Sequence, residues 1–291
     1  MLSAQPGILD PVPRCARLLE LDLTHGADPR ALRDALAAWL IDGDLLVGLG
    51  QPLVKALGAQ VPGLRLHPLH VGPGGVEVPS TPAALWLRVA GPDRGQVLHR
   101  ARRLLHRLGG SVQVTRVVDC FMFREGDDLS GYEDGTENPV GDAARAAALS
   151  TVAGIEGSSF LAVQQWVHDL DRFESFSQEQ CDHIYGRRQS DNTEMDDAPP
   201  SAHVKRTAQE SFAPPAFVVR RSMPWTDGHR NGLVFLAFGR DFDAYEAILH
   251  RMVGGEDGVT DALFTFTRPV TGAFFWCPPL RDGHLDLSAL S

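Results

Sequence analysis

Leu19, Leu21 and Leu23 alternate with polar neighbours across residues 17–23, the two-residue period of a half-buried strand. Asp28-Pro29 follows with an N-cap and a first-turn proline, and then come Leu32, Leu36, Trp39 and Leu40 at helical spacing. The pattern predicts a strand over 84–90 and a helix with Val97, Ala101, Leu104, Leu105 and Leu108 on one face. Gly109-Gly110 ends that helix, and a strand resumes over 112–124. The second half has the same grammar. It predicts a strand over 159–167 and a short helix over 177–185, opened by a Ser177/Gln180 capping box. Strands over 217–221 and 233–240 follow. A helix over 243–253 then places Tyr245, Ile248, Leu249 and Met252 on one face and stops at Gly254-Gly255. Strands over 263–266 and 270–276 close the set.

Strands and helices mixed in this order predict an α+β fold of antiparallel sheets with helices on one face. A chain of 291 residues suits two domains, placed at 1–140 and 141–291. No residue-level repeat relates the halves, so duplication is an architectural inference only. Residues 186–213 lack core periodicity and read as a long loop, a kind of segment that is commonly functional or disordered.

Composition narrows the function. Apolar residues make up 43% and charged residues 22%, as in ordinary globular domains. A net charge of −10 argues against nucleic acid as a partner, since phosphate binding needs a positive surface. No run reaches the ~20 apolar residues of a membrane span. Residues 1–6 have no basic region, apolar stretch or twin arginine, which points to the cytoplasm. Cys15, Cys120, Cys181 and Cys277 have neither disulfide-framework nor zinc-ribbon spacing; free thiols are expected, with Cys120 in the core.

The densest chemistry lies in Gly131-Tyr132-Glu133-Asp134-Gly135-Thr136-Glu137-Asn138-Pro139. One acid sits between glycines in a turn-forming run, where backbone can approach a flat or charged ligand. A surface loop capped by Asp134 fits the same composition. Among 11 histidines, His67 and His70 have a pairing that suits a metal but no third ligand nearby, and a solvated loop accounts for them. His99, His106 and His250 fall within helices. His203 follows the long loop and, from chemistry alone, ranks only slightly above the others.

The nine-residue string resembles the signature of dye-decolorising peroxidases. Four further segments resemble the B-type branch of that family: 186–188 (Gly-Arg-Arg), 201–206 (Ser-Ala-His-Val-Lys-Arg), 219–225 (Val-Arg-Arg-Ser-Met-Pro-Trp) and 266–272 (Phe-Thr-Arg-Pro-Val-Thr-Gly). So does the N-terminal Gln5-Pro6-Gly7-Ile8-Leu9. The resemblance runs from the first residues to about residue 280. It implies two ferredoxin-like domains of the dimeric α+β barrel superfamily, haem b in the C-terminal one, and hydrogen peroxide as oxidant with an organic reductant as donor.

Carried over, the resemblance makes His203 the proximal iron ligand, His being the usual one in peroxidases. Asp134 becomes the distal acid and Arg220 the distal arginine. Arg221 is a rival, because strand neighbours point to opposite faces and only one of the pair can face the haem. A carboxylate over the iron can move peroxide's proton between its oxygens, and an arginine can stabilise the charge that develops on the leaving oxygen. Asp261 is the expected acceptor for the second imidazole N–H; a helix or turn cap is the competing reading. Arg187 is offered to a haem propionate, Ser222 to a hydrogen bond or water, and Gly135, Thr136 and Glu137 to the cofactor through their loop. Tyr132 and Trp225 are relay candidates whose bland alternative is core packing.

Two other readings remain at this point. One is a haem- or porphyrin-handling protein on the same fold, which needs His203 but neither Asp134 nor Arg220. The other is a haem-free interaction module. Family resemblance also implies a homo-oligomer. The segment 282–290 faintly resembles a tail that docks into encapsulin shells; an ordinary chain end is the alternative.

Overall fold

A computed structural model describes residues 2–290. Its centre is a closed antiparallel ring. The order is Ser159–His168, Ala273–Cys277, Leu45–Gly50, Leu85–Gly91, Cys15–Leu23, Val112–Phe121, Met223–Thr226 and Asn231–Gly239, which pairs back onto Ser159–His168. Four neighbouring strands come from the first half of the chain. The halves join at Phe275↔Gly50 with Trp276↔Leu49, and at Trp225↔Cys120. Thr267–Pro269 and Val219–Arg220 add short strands to the outer flanks.

Alternation along each strand divides the core in two. Leu18, Trp86, Cys120, Leu161, Met223, Trp225, Leu236 and Phe275 form one buried cluster, packed between strands. Leu19, Leu21, Leu87, Ala162, Trp166 and Ala237 face the helices and join Leu32, Leu36, Val97, Leu104, Ile248 and Leu249 in the other. Each buried leucine, isoleucine, valine, methionine or phenylalanine among them contributes about 1.5–3 kcal/mol through removal from water. The helices form where caps and apolar spacing coincide. Asp28 accepts from the Arg30 N–H ahead of Pro29–Ala37, Asp93 caps Arg94–Leu108, and the Ser177/Gln180 box opens Gln178–Tyr185.

The α+β expectation therefore holds, with corrections in detail. Residues 263–266 are not a strand: Ala262–Thr265 is a 3-10 turn, because Asp261 caps it by accepting from the Leu263 N–H. The strand over 112–124 stops at Phe121, and 217–221 shrinks to Val219–Arg220. Leu45–Gly50 is buried throughout, so it offered no polar alternation to read. The long loop contains a four-residue helix, His203–Arg206; His203 thus opens a helix rather than preceding a strand. His67 is wholly buried, not solvated, since Tyr245 and Phe274 pack around its ring. All four cysteines are free. Leu285, Leu287 and Leu290 are buried in the core. Among the described residues no helix is long and apolar enough to cross a membrane.

Candidate active site

Gln164, Trp166 and His168 alternate along one strand, Leu233 and Phe235 along its neighbour, and all five line one side of a cavity of about 260 Å³. Tyr245, Ile248, Leu249 and Met252 line it from the Asp243–Met252 helix. Much of the remaining wall comes from the loop 133–137, from Arg220, and from the start of the His203–Arg206 helix.

His203 lies at the first position of its short helix, after the fully buried Ala202. Its Nδ1 is 2.7 Å from Asp261 Oδ2. Asp261, 1% exposed, accepts from the Leu263 N–H through its other oxygen at 2.8 Å, so the cap and imidazole-acceptor readings are both realised. The Ala262 N–H donates to Ser201 O, tying the two loops together. A carboxylate at Nδ1 leaves Nε2 as the free ring atom, and among the described residues Nε2 makes no hydrogen bond. Arg206, buried behind, is clamped by Asp257 and Arg251 O.

Asp134 and Arg220 both reach the cavity, with Arg220 Nη1 3.8 Å from Asp134 Oδ1. Asn138 explains how two distant segments are held in this relation. Its Oδ1 accepts from the Arg220 N–H at 2.8 Å, and its Nδ2 donates to Arg220 O at 3.1 Å. A side-chain amide thus copies a strand pairing. Gln209 repeats the device one residue away, donating to Glu137 O and accepting from the Val218 N–H. Gly135 turns the loop with φ +83°, a conformation that costs other residues.

Arg221 points elsewhere. Its Nη2 donates to Leu9 O at 2.8 Å, and it is absent from the cavity wall. Arg187 does line the cavity, but its guanidinium is held by Glu137 at 2.5 Å and by Asn192 O at 3.0 Å. Gly135, Thr136 and Glu137 line it as well. Ser222 does not: it continues the register opposite Phe235, which lines the cavity instead, and the Ser222 hydroxyl is buried with no partner among the described residues. Tyr132 is on the wall. Trp225 is not; it packs in the ring's core and donates to Trp166 O.

A second buried network on the same wall had no sequence motif to announce it. Asp128 bonds His168 Nε2 at 2.9 Å and the Ser130 hydroxyl, which meets the Tyr185 hydroxyl at 2.6 Å. Burial pushes the Asp128 carboxyl up, but the His168 and Ser130 contacts outweigh it and hold the group below its ordinary range. Burial also raises the Tyr185 phenol well above its usual value. The period-two run 164, 166, 168 was the available signal; the partner Asp128 could not be read from it.

The donor set fits haem. The cavity offers an apolar interior (Leu233, Phe235, Ile248, Leu249, Met252), an oriented imidazole, an acid beside an arginine, and a buried Arg220 Nε and Gln164 Nε2 with no partner among the described residues.

Comparison with known proteins agrees. The family model described as "Dyp-type peroxidase, C-terminal" matches residues 125–282. The dye-decolorizing peroxidase of Mycobacterium tuberculosis is 30% identical over 249 residues, 81% of this chain and 73% of the relative. The dye-decolorizing protein from V. cholerae superposes with a TM-score of 0.83 at 26% identity, over 94% of this chain and 97% of that one. A DypB variant from Rhodococcus jostii RHA1 in complex with heme gives a TM-score of 0.86 at 25% identity, over 95% of this chain and 96% of the other. The chain belongs to the Dyp-type, dye-decolorising peroxidase family and is a haem-dependent peroxidase.

Proposed function

We propose that His203 is the proximal ligand of one haem b per chain, and that Asp134 and Arg220 together activate hydrogen peroxide. The meeting of Asp134 and Arg220 at 3.8 Å on the wall of the cavity that His203 enters carries this reading. Bound haem supplies the iron at which peroxide is reduced and the store for its oxidising equivalents. The protein's own part is proton and charge management. Asp134 takes a proton from one peroxide oxygen and returns it to the other. The Arg220 guanidinium, always charged, stabilises the negative charge that grows as the O–O bond breaks. Asp261 holds the His203 ring in one tautomer and orientation and raises its basicity. Asn138 and Gln209 keep the acid's loop registered on the arginine's strand.

Arg187, with Gly135, Thr136 and Glu137, borders the propionate edge in this reading, and Ser222 acts only through a neighbouring residue or water. A porphyrin carrier needs His203 alone; an acid and an arginine placed together favour the enzyme. The electron donors are dyes and phenolic or other bulky organic compounds. Two ferredoxin-like halves, 1–140 and 141–291, are the proposed domains, in a cytoplasmic homo-oligomer. Replacing His203 with Ala tests the ligand: haem binding should be lost or severely weakened. A normal Soret band with unchanged ferric ligation in that variant would remove His203 from the role.

A further inference from the structure

Behind the haem cavity lies a second, polar cavity of about 490 Å³. His168, Phe266 and Thr267 line both, so at this point one layer of side chains separates them. Phe266 is 4% exposed and His168 8%; the partition is packed, with His168 bonded to Thr267 Oγ1 at 2.6 Å and to Asp128. Asp169, Asp171, Arg172, His229, Thr265 and Arg268, by contrast, are exposed to solvent.

The chemistry of the outer cavity is specific. Arg172 and Arg268 line it, and neither makes an ion pair among the described residues. Asp169 lies there too, but its carboxylate is engaged in capping a helix, accepting from the Arg172 N–H at 3.0 Å. Asp171 is the remaining acid. The Asn231 Oδ1 acceptor on the same wall is buried and has no partner among the described residues, and such groups are costly unless a donor reaches them.

We infer that this cavity is a donor site for small phenols bearing an anionic group, seated one side chain from the cofactor. The phenol O–H donates to Asn231 Oδ1, and the carboxylate or sulfonate meets Arg172 and Arg268 through charge-assisted hydrogen bonds. Each phenol gives up one electron across the His168/Phe266 partition and, by way of its hydrogen bond, one proton to solvent. Two phenols and one peroxide thereby yield two phenoxyl radicals and two waters. This rests on the peroxidase reading of the inner cavity, which supplies the oxidant.

The haem-loaded protein is compared with 4-hydroxy-3-methoxybenzoate and with its uncharged counterpart 2-methoxyphenol as donors. Arg172→Gln/Arg268→Gln should raise KM for the benzoate about tenfold at low salt, since each exposed ion pair contributes up to roughly fivefold and is screened by added salt. KM for 2-methoxyphenol and the rate of the peroxide step should stay near wild type. Thr265→Trp, at the exposed edge of the cavity, should raise KM for both donors. Saturation-transfer NMR without peroxide should show the benzoate bound to wild type and more weakly bound in both variants. Unchanged KM and unchanged NMR transfer in both variants would overturn the site. A wild-type protein that binds the benzoate but does not react with peroxide would sink the peroxidase reading and leave the site standing.

Discussion

Gly135 illustrates how much rests on single residues. Its φ of +83° favours glycine, and an added methyl group would stand 3.0 Å from the Asn138 amide. Gly135→Ala should therefore destabilise the fold by about 1–2 kcal/mol, read as a thermal midpoint lowered by roughly 2–8 °C; an unchanged midpoint would show that the loop tolerates either conformation. Asp261 offers a second test at this scale. Asp261→Asn keeps the shape but removes the carboxylate from His203 Nδ1, and haem affinity should fall about 10–100-fold, measured by transfer to an apo-globin acceptor. Unaltered affinity would mean that the imidazole needs no such partner. His203, Asp134 and Arg220 were singled out because they sit in recognisable strings, and Asp261 by its place ahead of one. Asn138 and Gln209 were not given roles, because a side chain that bonds distant backbone leaves no periodic trace. Ser222, two residues from Arg220, lies off the wall, where the larger Phe235 stands instead.

Elements were legible where burial is one-sided. Leu32 and Leu36, or Ile248 and Leu249, show a helix because the opposite face is polar. Leu45–Gly50 is covered on both faces and shows nothing but small and aliphatic residues. Gly141–Ala148 packs mainly alanines against the sheet, too weak a stripe to mark a helix. Packing between elements also has a pH signature. His67 meets the Tyr245 hydroxyl of the long C-terminal helix at 2.9 Å, and burial, reinforced by nearby His70, lowers its pKa to about 4. The unfolded imidazole titrates near 6.5, so between the two values the unfolded state binds more protons and stability falls with falling pH. The loss starts near pH 6.5 and is complete near pH 4, amounting to about 3 kcal/mol at most. Urea unfolding at pH 7 and pH 4.5 should show a smaller drop for His67→Asn than for wild type; equal drops would remove His67 from the account.

At the scale of the molecule, the ring couples halves that the sequence presented as separate. Phe275↔Gly50 and Trp225↔Cys120 are ladder pairs between them, so neither half can unfold without leaving the other's strands with open edges. Tryptophan fluorescence and far-UV circular dichroism of the haem-free protein should report one coincident urea transition; two separated transitions would mean that the halves are independent. The same ring accounts for the arginine pair. Arg220 and Arg221 are adjacent in sequence, yet one reaches the cavity beside Asp134 and the other is bonded to Leu9 O. Stopped-flow mixing of haem-loaded Asp134→Ala, Arg220→Ala and Arg221→Ala with hydrogen peroxide tests this division directly. The first two should react about 10²–10³-fold more slowly than wild type, and Arg221→Ala within about threefold of it, since it touches no reacting atom. Wild-type rates in Asp134→Ala and Arg220→Ala, or a defect confined to Arg221→Ala, would contradict the assignment.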